Sequence, residues 1–371
     1  MNEPKLLEKE EVRKEISIID ICSGIGMTEL AMKRAINVLN DKYITKLQLN
    51  IEAICEIDEK AAKAFQKMHG LVVNLKDVTK TSFKGKYCTI LSFTFPCTSL
   101  SSLGKRLGLS LGSGSASSII WELPRILGEL KALPRLIFME NVKNLVTNKK
   151  YRKDFNKLVA YLESLGYKVF FQVMNSKDYG VPQNRERVFI FASLDLDSFE
   201  FVKPIPLSYE LKDILEKEVD EKYYLKSLKD FFITHSMETN YTFRVHNPSY
   251  ASIAHTITTK SGSRISDNFI FEKDVSSDSE IRFKENRLGN LSLEELKSMR
   301  IRKLTRKEVM LLMGFNEDEI SILGDFSDTQ IFKIMGNGIV IPTLALVFEK
   351  YFEEWIFGTN NYTQEKEIIY E

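Results

Sequence analysis

Two textures of apolar positions alternate along the first half of the chain. Short runs are dense in β-branched and aromatic residues: "ISIIDI" (16–21), "NIEAICEID" (50–58), "TILSFTF" (89–95), "RLIFMEN" (135–141), "KVFFQVMN" (168–175) and "RVFIFAS" (187–193). Their length and composition predict buried strands. Between them lie "MTELAMKRAINVL" (27–39), "EKAAKAFQKMHG" (59–70), "SIIWELPRILGELKAL" (118–133) and "RKDFNKLVAYLESLGY" (152–167). Their apolar positions recur at helical spacing, so they predict helices. Pro124 sits early enough to be tolerated near a helix start, and Gly166 suits a helix C-cap. Strands alternating with helices across 16–193 predict an α/β fold: a mostly parallel, doubly wound sheet with helices on both faces.

The texture changes after residue 195. Charged connectors and prolines come first, then a Ser/Thr/Asn-rich stretch (230–290) with short β-like pieces such as "SIAHTITT" and "NFIFE". "TRKEVMLLMGF" (305–315) and "GNGIVIPTLALVFEKYFEEWIF" (336–357) predict helices, the second after a Gly-rich turn. Three segments are expected: 1–195 as the main domain, 196–325 as a smaller loop-rich domain, and 326–371 as a C-terminal segment returning to the first. There is no internal repeat.

Composition narrows this picture only a little. The chain has 371 residues, of which 43% are hydrophobic and 28% charged, with a net charge of +1. No apolar run approaches the ~18 residues of a membrane span, and the charged start lacks a secretory core. The expectation is a cytoplasmic protein without a membrane. The four cysteines and four histidines show no metal-ligand spacing, so no metal is expected. Local basic runs, "KNLVTNKKYRK" (143–153) and "IRKLTRK" (301–307), fit either solvated helix faces or an anionic partner.

Candidate chemistry gathers at the carboxyl ends of the predicted strands, where parallel sheets bind ligands. In "DICSGIGMTE" (20–29), Gly24 and Gly26 let a ligand approach the backbone. Glu29 stands at the third glycine position of a dinucleotide fingerprint, which disfavours a pyrophosphate. A nucleoside without phosphates fits better: Glu56 could accept from ribose hydroxyls and Asp77 from an adenine amino group. Cys97, in "FPCTSLSSLGKR" (95–106), ends a strand before a soft polar loop, a placement suited to a reactive thiolate rather than to a core filler. Glu140 and Asn141 end a very apolar strand, so Glu140 could donate a proton or Asn141 could cap a helix. In "QNRER" (183–187), Arg185 and Arg187 share one face of an extended strand and need anionic or carbonyl partners.

Taken together, these segments resemble the cytosine-C5 DNA methyltransferases of the prokaryotic, restriction-modification type. "DICSGIG", "FPCTSLSSLGKR", "MENV", "QNRER", "RKLTRKEVMLLMGF" and "GNGIVIP" follow that family's motif order, from residue 18 to about 350. The resemblance implies a sheet of the S-adenosylmethionine-dependent methyltransferase type and a target-recognition domain over 196–325. It implies methyl transfer to C5 of a flipped-out cytosine in duplex DNA through a covalent Cys97–C6 intermediate. Cys97, Glu140, Arg185 and Arg187 would be catalytic. Cys22, Gly24, Ile25, Gly26, Glu56, Ile57, Asp77, Val78, Pro96, Asn337 and Ile339 would hold S-adenosylmethionine, leaving S-adenosylhomocysteine as product. Ser101, Lys105, Arg106, Thr256, Thr258 and Lys260 would contact DNA. The protein would act as a monomer, and a cognate restriction endonuclease acting separately is left open. The sequence departs from the family at Ser92–Phe95, where Gly-Gly-Pro is usual, at Thr98 for glutamine, at Cys22 for phenylalanine and at Met27 for glycine. A transfer-RNA cytosine-C5 methyltransferase, a non-catalytic DNA-binding relative and a nicotinamide-dependent dehydrogenase are the alternatives.

Overall fold

The computed structural model describes residues 15–73, 77–100, 109, 115–225, 242–246, 248–249, 251–263, 267–271, 279–284, 287–288, 291–292 and 300–358; residues 242–245 and the strands from 279 to 292 are described by backbone alone. The chain divides into two compact units. One comprises Met1–Met174, Arg187–Lys203 and Leu344–Glu371; the other comprises Asn175–Glu186 and Pro204–Thr343.

The first unit is built on strands β1 (Glu15–Ile21), β2 (Gln48–Cys55), β3 (Ile90–Phe93), β4 (Leu136–Val142), β5 (Lys168–Asn175) and β7 (Glu186–Ser193); the short β6 (Gln183–Asn184) belongs to the second unit. The six strands form one sheet in the order β2-β1-β3-β4-β7-β5. The pairs β1–β2, β1–β3 and β3–β4 are parallel, whereas β4–β7 is antiparallel. The sheet is therefore α/β and mainly parallel, as the alternation of textures predicts. All four residues of β3 are buried, and so are the first six of β4, which explains why apolar residues dominate both up to Glu140.

Helices α1 (Met27–Tyr43), α2 (Glu59–His69), α3 (Leu123–Glu129), α4 (Asn144–Thr147) and α5 (Lys149–Ser164) connect the strands. Asp58 caps α2 by accepting from the Lys60 and Ala61 amides. The predicted helix at 118–133 is shorter and split: Ala116–Glu122 is a 3₁₀ turn, and α3 follows it. Pro124 has no N–H to offer the Ile120 carbonyl, so that carbonyl takes the Leu123 amide instead, the tighter spacing.

In the second unit, β8 (Thr242–His246), β10 (Phe269–Phe271), β11 (Ser279–Lys284), β12 (Arg287–Leu288), β13 (Leu291–Ser292) and β14 (Ile301–Lys303) form a sheet ordered β13-β12-β11-β8-β10-β14; β6 pairs with β9 (Ala254–His255). Helices α6 (Arg306–Leu312), α7 (Glu317–Ile322) and α8 (Asp328–Asn337) follow, and α9 (Ile341–Phe352) passes into the first unit at Leu344. There Phe348 packs 5.0 Å from Phe138 and 5.5 Å from Phe191, while the Tyr351 hydroxyl meets Ser193 Oγ at 2.8 Å.

Two expectations change. The stretch Asp328–Phe357 has the length and hydropathy of a membrane span, contrary to the sequence reading. Its helix is interrupted at 338–340, and 61% of its most apolar window is buried, as in a core helix. The basic run 301–307 is not a free cationic face. Arg302 grips Glu308 with two nitrogens at 2.8 and 2.9 Å, Arg306 donates to the Leu323 and Phe326 carbonyls, and Lys307 pairs with Glu317.

Candidate active site

The turn after β1 is shaped by backbone conformations that most side chains avoid. Cys22, Gly24 and Gly26 have φ of 62°, 59° and 85°. A Cβ on Gly26 would collide with His69 and Phe65, whereas one on Gly24 would meet nothing within 4 Å. The turn is therefore packed at Gly26 and open at Gly24. The Gly24 amide donates to Glu56 Oε2 at 2.8 Å, and the Asp58 amide to Glu56 Oε1 at 2.7 Å. Each oxygen keeps a lone pair for a hydroxyl donor. Burial raises the Glu56 carboxyl above its ordinary range, and the amide donors pull it back.

His69 supports this turn from behind. Lys33 Nζ lies 3.3 Å from His69 Nδ1, and the Ile25 carbonyl 3.2 Å from Nε2. A lysine only donates and a carbonyl only accepts, so the ring is neutral with its proton on Nε2. Burial and the nearby lysine hold its pKa down at about 4.

Ile25 and Val78 are buried, Cys22 is half-buried, and Ile57 is exposed. Asp77 is partly exposed; its Oδ1 accepts from the Thr79 amide and hydroxyl, which lowers its pKa. These placements assemble a turn with an open backbone, flanked by carboxylates and a thiol. That donor set suits a nucleoside with a positive centre and repels a phosphate.

A second acidic pair lies beneath the turn, which the sequence reading missed. Asp20 ends β1, Glu29 stands in the first turn of α1, and both are fully buried side by side. Glu29 therefore points into the core rather than towards a ligand. Two neighbouring carboxylates cannot both ionise there. Burial and the Glu29 charge push Asp20 well up, and burial pushes Glu29 up to about 7, so the pair holds a proton. An acid at the end of an otherwise apolar strand was the available signal.

Cys97 lies just past the end of β3 and is partly exposed. Cys22 is likewise partly exposed, whereas Cys55 and Cys88 are buried; burial raises the Cys22 thiol well above its ordinary value, Cys55 to about 11 and Cys88 to about 12. The backbone around Cys97 is firmly held. Asn141 Nδ2 donates to the Phe95 carbonyl at 2.9 Å, Ser117 Oγ to the Pro96 carbonyl at 2.5 Å, and the Leu100 amide to the Cys97 carbonyl at 2.9 Å. Asn141 thus braces the cysteine loop instead of capping a helix. Asn144 Nδ2 reaches the Leu100 carbonyl at 3.1 Å.

Glu140, 7% exposed, forms an ion pair with Arg187 Nε at 3.0 Å. Antiparallel pairing sets Val142 opposite Arg187, so the two strands deliver the acid and the guanidinium to one end of the sheet. Arg185 takes different partners. It is 1% exposed, within the second unit, and donates to the Ile257 carbonyl at 2.8 Å, Gly336 at 3.0 Å and Gly338 at 2.6 Å.

That brace sets the other predicted residues of the second unit. The Thr258–Thr259 backbone lies so close to Gly336 that a Cβ there would strike it. Thr256 Oγ1 donates to the Asn184 carbonyl at 2.6 Å, and Thr258 Oγ1 to Asp267 at 3.2 Å. Lys260 and Asn337 are exposed, and Ile339 is buried. Ser101, Lys105 and Arg106 lie outside the described residues. Among the described residues, no group of three or more metal-ligating side chains occurs.

Comparison with known proteins extends this picture. The family model of the C-5 cytosine-specific DNA methylases matches residues 16–353. The type II methyltransferase M2.ScrFI of Lactococcus lactis subsp. cremoris is 34% identical over 274 residues, covering 71% of this chain and 66% of that protein. M1.ScrFI of the same organism is 30% identical over 343 residues, covering 91% and 78%. Among solved structures, the Entamoeba histolytica methyltransferase EhMeth superposes with a TM-score of 0.71 at 18% identity, covering 92% of this chain and 99% of that one, a likeness of fold. The motifs, the sheet and the family match agree: this chain belongs to the C-5 cytosine-specific DNA methylases.

Proposed function

We propose that the protein methylates C5 of a cytosine flipped out of duplex DNA, using S-adenosylmethionine, at a specific sequence read by the loop-rich domain over 196–325. The observation that carries the reading is Cys97, partly exposed on a clamped backbone in a unit that also presents the Glu140–Arg187 pair. Its substrate must come from outside the stack, because C6 is inaccessible within a duplex.

S-adenosylmethionine supplies an electrophilic methyl group. Glu56, Ile57, Asp77, Val78 and the turn at Cys22, Gly24, Ile25 and Gly26 would hold its adenosyl and ribose portions; Pro96, Asn337 and Ile339 are the remaining cofactor residues of this reading. Cys97 Sγ, as thiolate, forms a bond to C6, and the ring electrons move towards C5. Glu140 holds or protonates N3 as charge builds there, and Arg187 orients Glu140 and binds the O2 edge. C5 would take the methyl group as its bond to sulfur breaks, with S-adenosylhomocysteine as the leaving group, and then lose its proton to a base; the C6–Sγ bond breaks and returns the thiolate. Ser101, Lys105, Arg106, Thr256, Thr258 and Lys260 would contact DNA. Arg185 supports that loop through its three carbonyls instead of touching the base.

Similarity to type II methyltransferases supports protection of DNA from a cognate endonuclease in the bacterial cytoplasm; we further propose that the chain acts as a monomer. The test is transfer of labelled methyl groups to duplex DNA, followed by bisulfite sequencing of DNA from expressing cells. Transfer to transfer RNA alone would overturn the reading. Cys97→Ala is expected to lose turnover and covalent trapping by DNA carrying 5-fluorocytosine; retained trapping would place the nucleophile elsewhere.

A further inference from the structure

Ser115, Ser117 and Ser118, which lie beyond the catalytic loop, do different work. Ser115 and Ser118 serve their own 3₁₀ turn: Ser115 Oγ accepts the Ser118 amide at 3.1 Å, and Ser118 Oγ donates to the Ser115 carbonyl at 2.7 Å. Such local bonding is the usual habit of serine. Ser117 does not share it. Fully buried, it sends its hydroxyl across to the Pro96 carbonyl, 21 positions away in sequence, at 2.5 Å.

That carbonyl occupies a sensitive place. Peptide planarity and the proline ring remove most of the freedom before Cys97. Phe95 is buried and its carbonyl is taken by Asn141. The torsion that remains between the ring and the cysteine is ψ of Pro96, and turning it swings both the Pro96 carbonyl and the Cα–Cβ direction of Cys97. Beyond the cysteine, the Leu100 amide ties down the Cys97 carbonyl. A donor on the Pro96 carbonyl therefore fixes a rotation that helps set the Cα–Cβ direction of Cys97.

We propose that Ser117 is a positioning residue for Cys97: by holding the Pro96 carbonyl, it sets the direction from which the thiolate meets C6. This rests on the reading of Cys97 as nucleophile. The 3₁₀ turn is a suitable anchor, since Ile120 beside it is buried and Trp121 Nε1 donates to the Leu109 carbonyl at 2.6 Å. Small errors in nucleophile placement are costly in rate while leaving binding intact.

The test compares wild type with Ser117→Ala and Ser117→Cys, following covalent trapping by 5-fluorocytosine duplex in single turnover. Alanine removes the donor; cysteine keeps the volume but donates weakly. Ser117→Ala is expected to slow trapping and kcat about tenfold or more, with Ser117→Cys between it and wild type. KM for DNA and the dissociation constant of S-adenosylhomocysteine should stay within about twofold, a split that general loosening would not give. Wild-type trapping rates in both variants would overturn the proposal, as would a parallel loss of S-adenosylhomocysteine binding. If Ser117→Ala does not fold, Ser117→Cys alone decides: a wild-type rate refutes and a slowed rate with unchanged affinities supports. Failure of wild type itself to trap would refute the nucleophile reading instead.

Discussion

Asp20 lies near the end of β1 and Glu29 in the first turn of α1, on the two sides of the ligand turn, and burial raises both carboxyls so that the pair holds a proton. The folded pKa of Glu29, about 7, lies above its ordinary value of 4.5. The folded state therefore binds more protons than the unfolded chain over that interval. The pair's contribution is fully present below pH 4.5 and is lost as pH rises through about 7. His69 acts in the opposite sense: its folded pKa, about 4, lies below the ordinary 6.5, so its contribution is lost as pH falls between them. His69 contributes the same slope to wild type and to a Glu29 variant, so the difference between them isolates Glu29. Between about pH 5 and 8 the urea midpoint of wild type should fall relative to that of Glu29→Gln, whose amide cannot ionise. A wild-type slope in Glu29→Gln would show that the shared proton is elsewhere. At the same scale, Glu140 and Arg187 form a unit. Arg187→Lys keeps the charge but loses the planar fork, and should lower kcat more than it raises KM for DNA; an unchanged kcat would deny Arg187 its role.

At the scale of elements, each predicted motif proves to be a junction. Arg185, in the turn between β6 and β7, ties the loop after β9 to the turn between α8 and α9 through three carbonyls. Replacing it with methionine leaves those carbonyls without their donor. The expected cost is about 3 kcal/mol, read from urea unfolding, since bonds to a charged donor exceed neutral ones. A loss under about 1 kcal/mol would mean that the arginine is not a structural brace. Helix α6 opens with a reciprocal cap: Thr305 Oγ1 accepts the Glu308 amide, and Glu308 accepts the Thr305 amide and the Arg302 guanidinium. A run of basic residues that resembles a nucleic-acid patch is thus consumed by capping and ion pairing. Sequence spacing alone could not tell these uses apart, because it does not show which carbonyls and carboxylates come within reach.

Across the whole molecule, the chain passes between its two units four times, at 174/175, 186/187, 203/204 and 343/344. Saturation with S-adenosylhomocysteine at one hundred times its dissociation constant should stabilise the protein by about 2.7 kcal/mol. Asn337→Ala should reduce the affinity; calorimetric binding equal to wild type would deny Asn337 its proposed role. Much of this protein was settled by sequence. Runs buried on both faces dictated the parallel strands, and the positions of Cys97, Glu140 and the glycines of the first turn were visible because their chemistry is local to a strand end. The partners were not visible. That Ser117 would reach Pro96, that Glu29 would turn inward to Asp20, and that Arg185 and Arg187 would part company depends on packing between residues from nine to 153 positions apart. Only the folded chain brings those groups within hydrogen-bond distance, and only burial makes the bonds strong enough to matter.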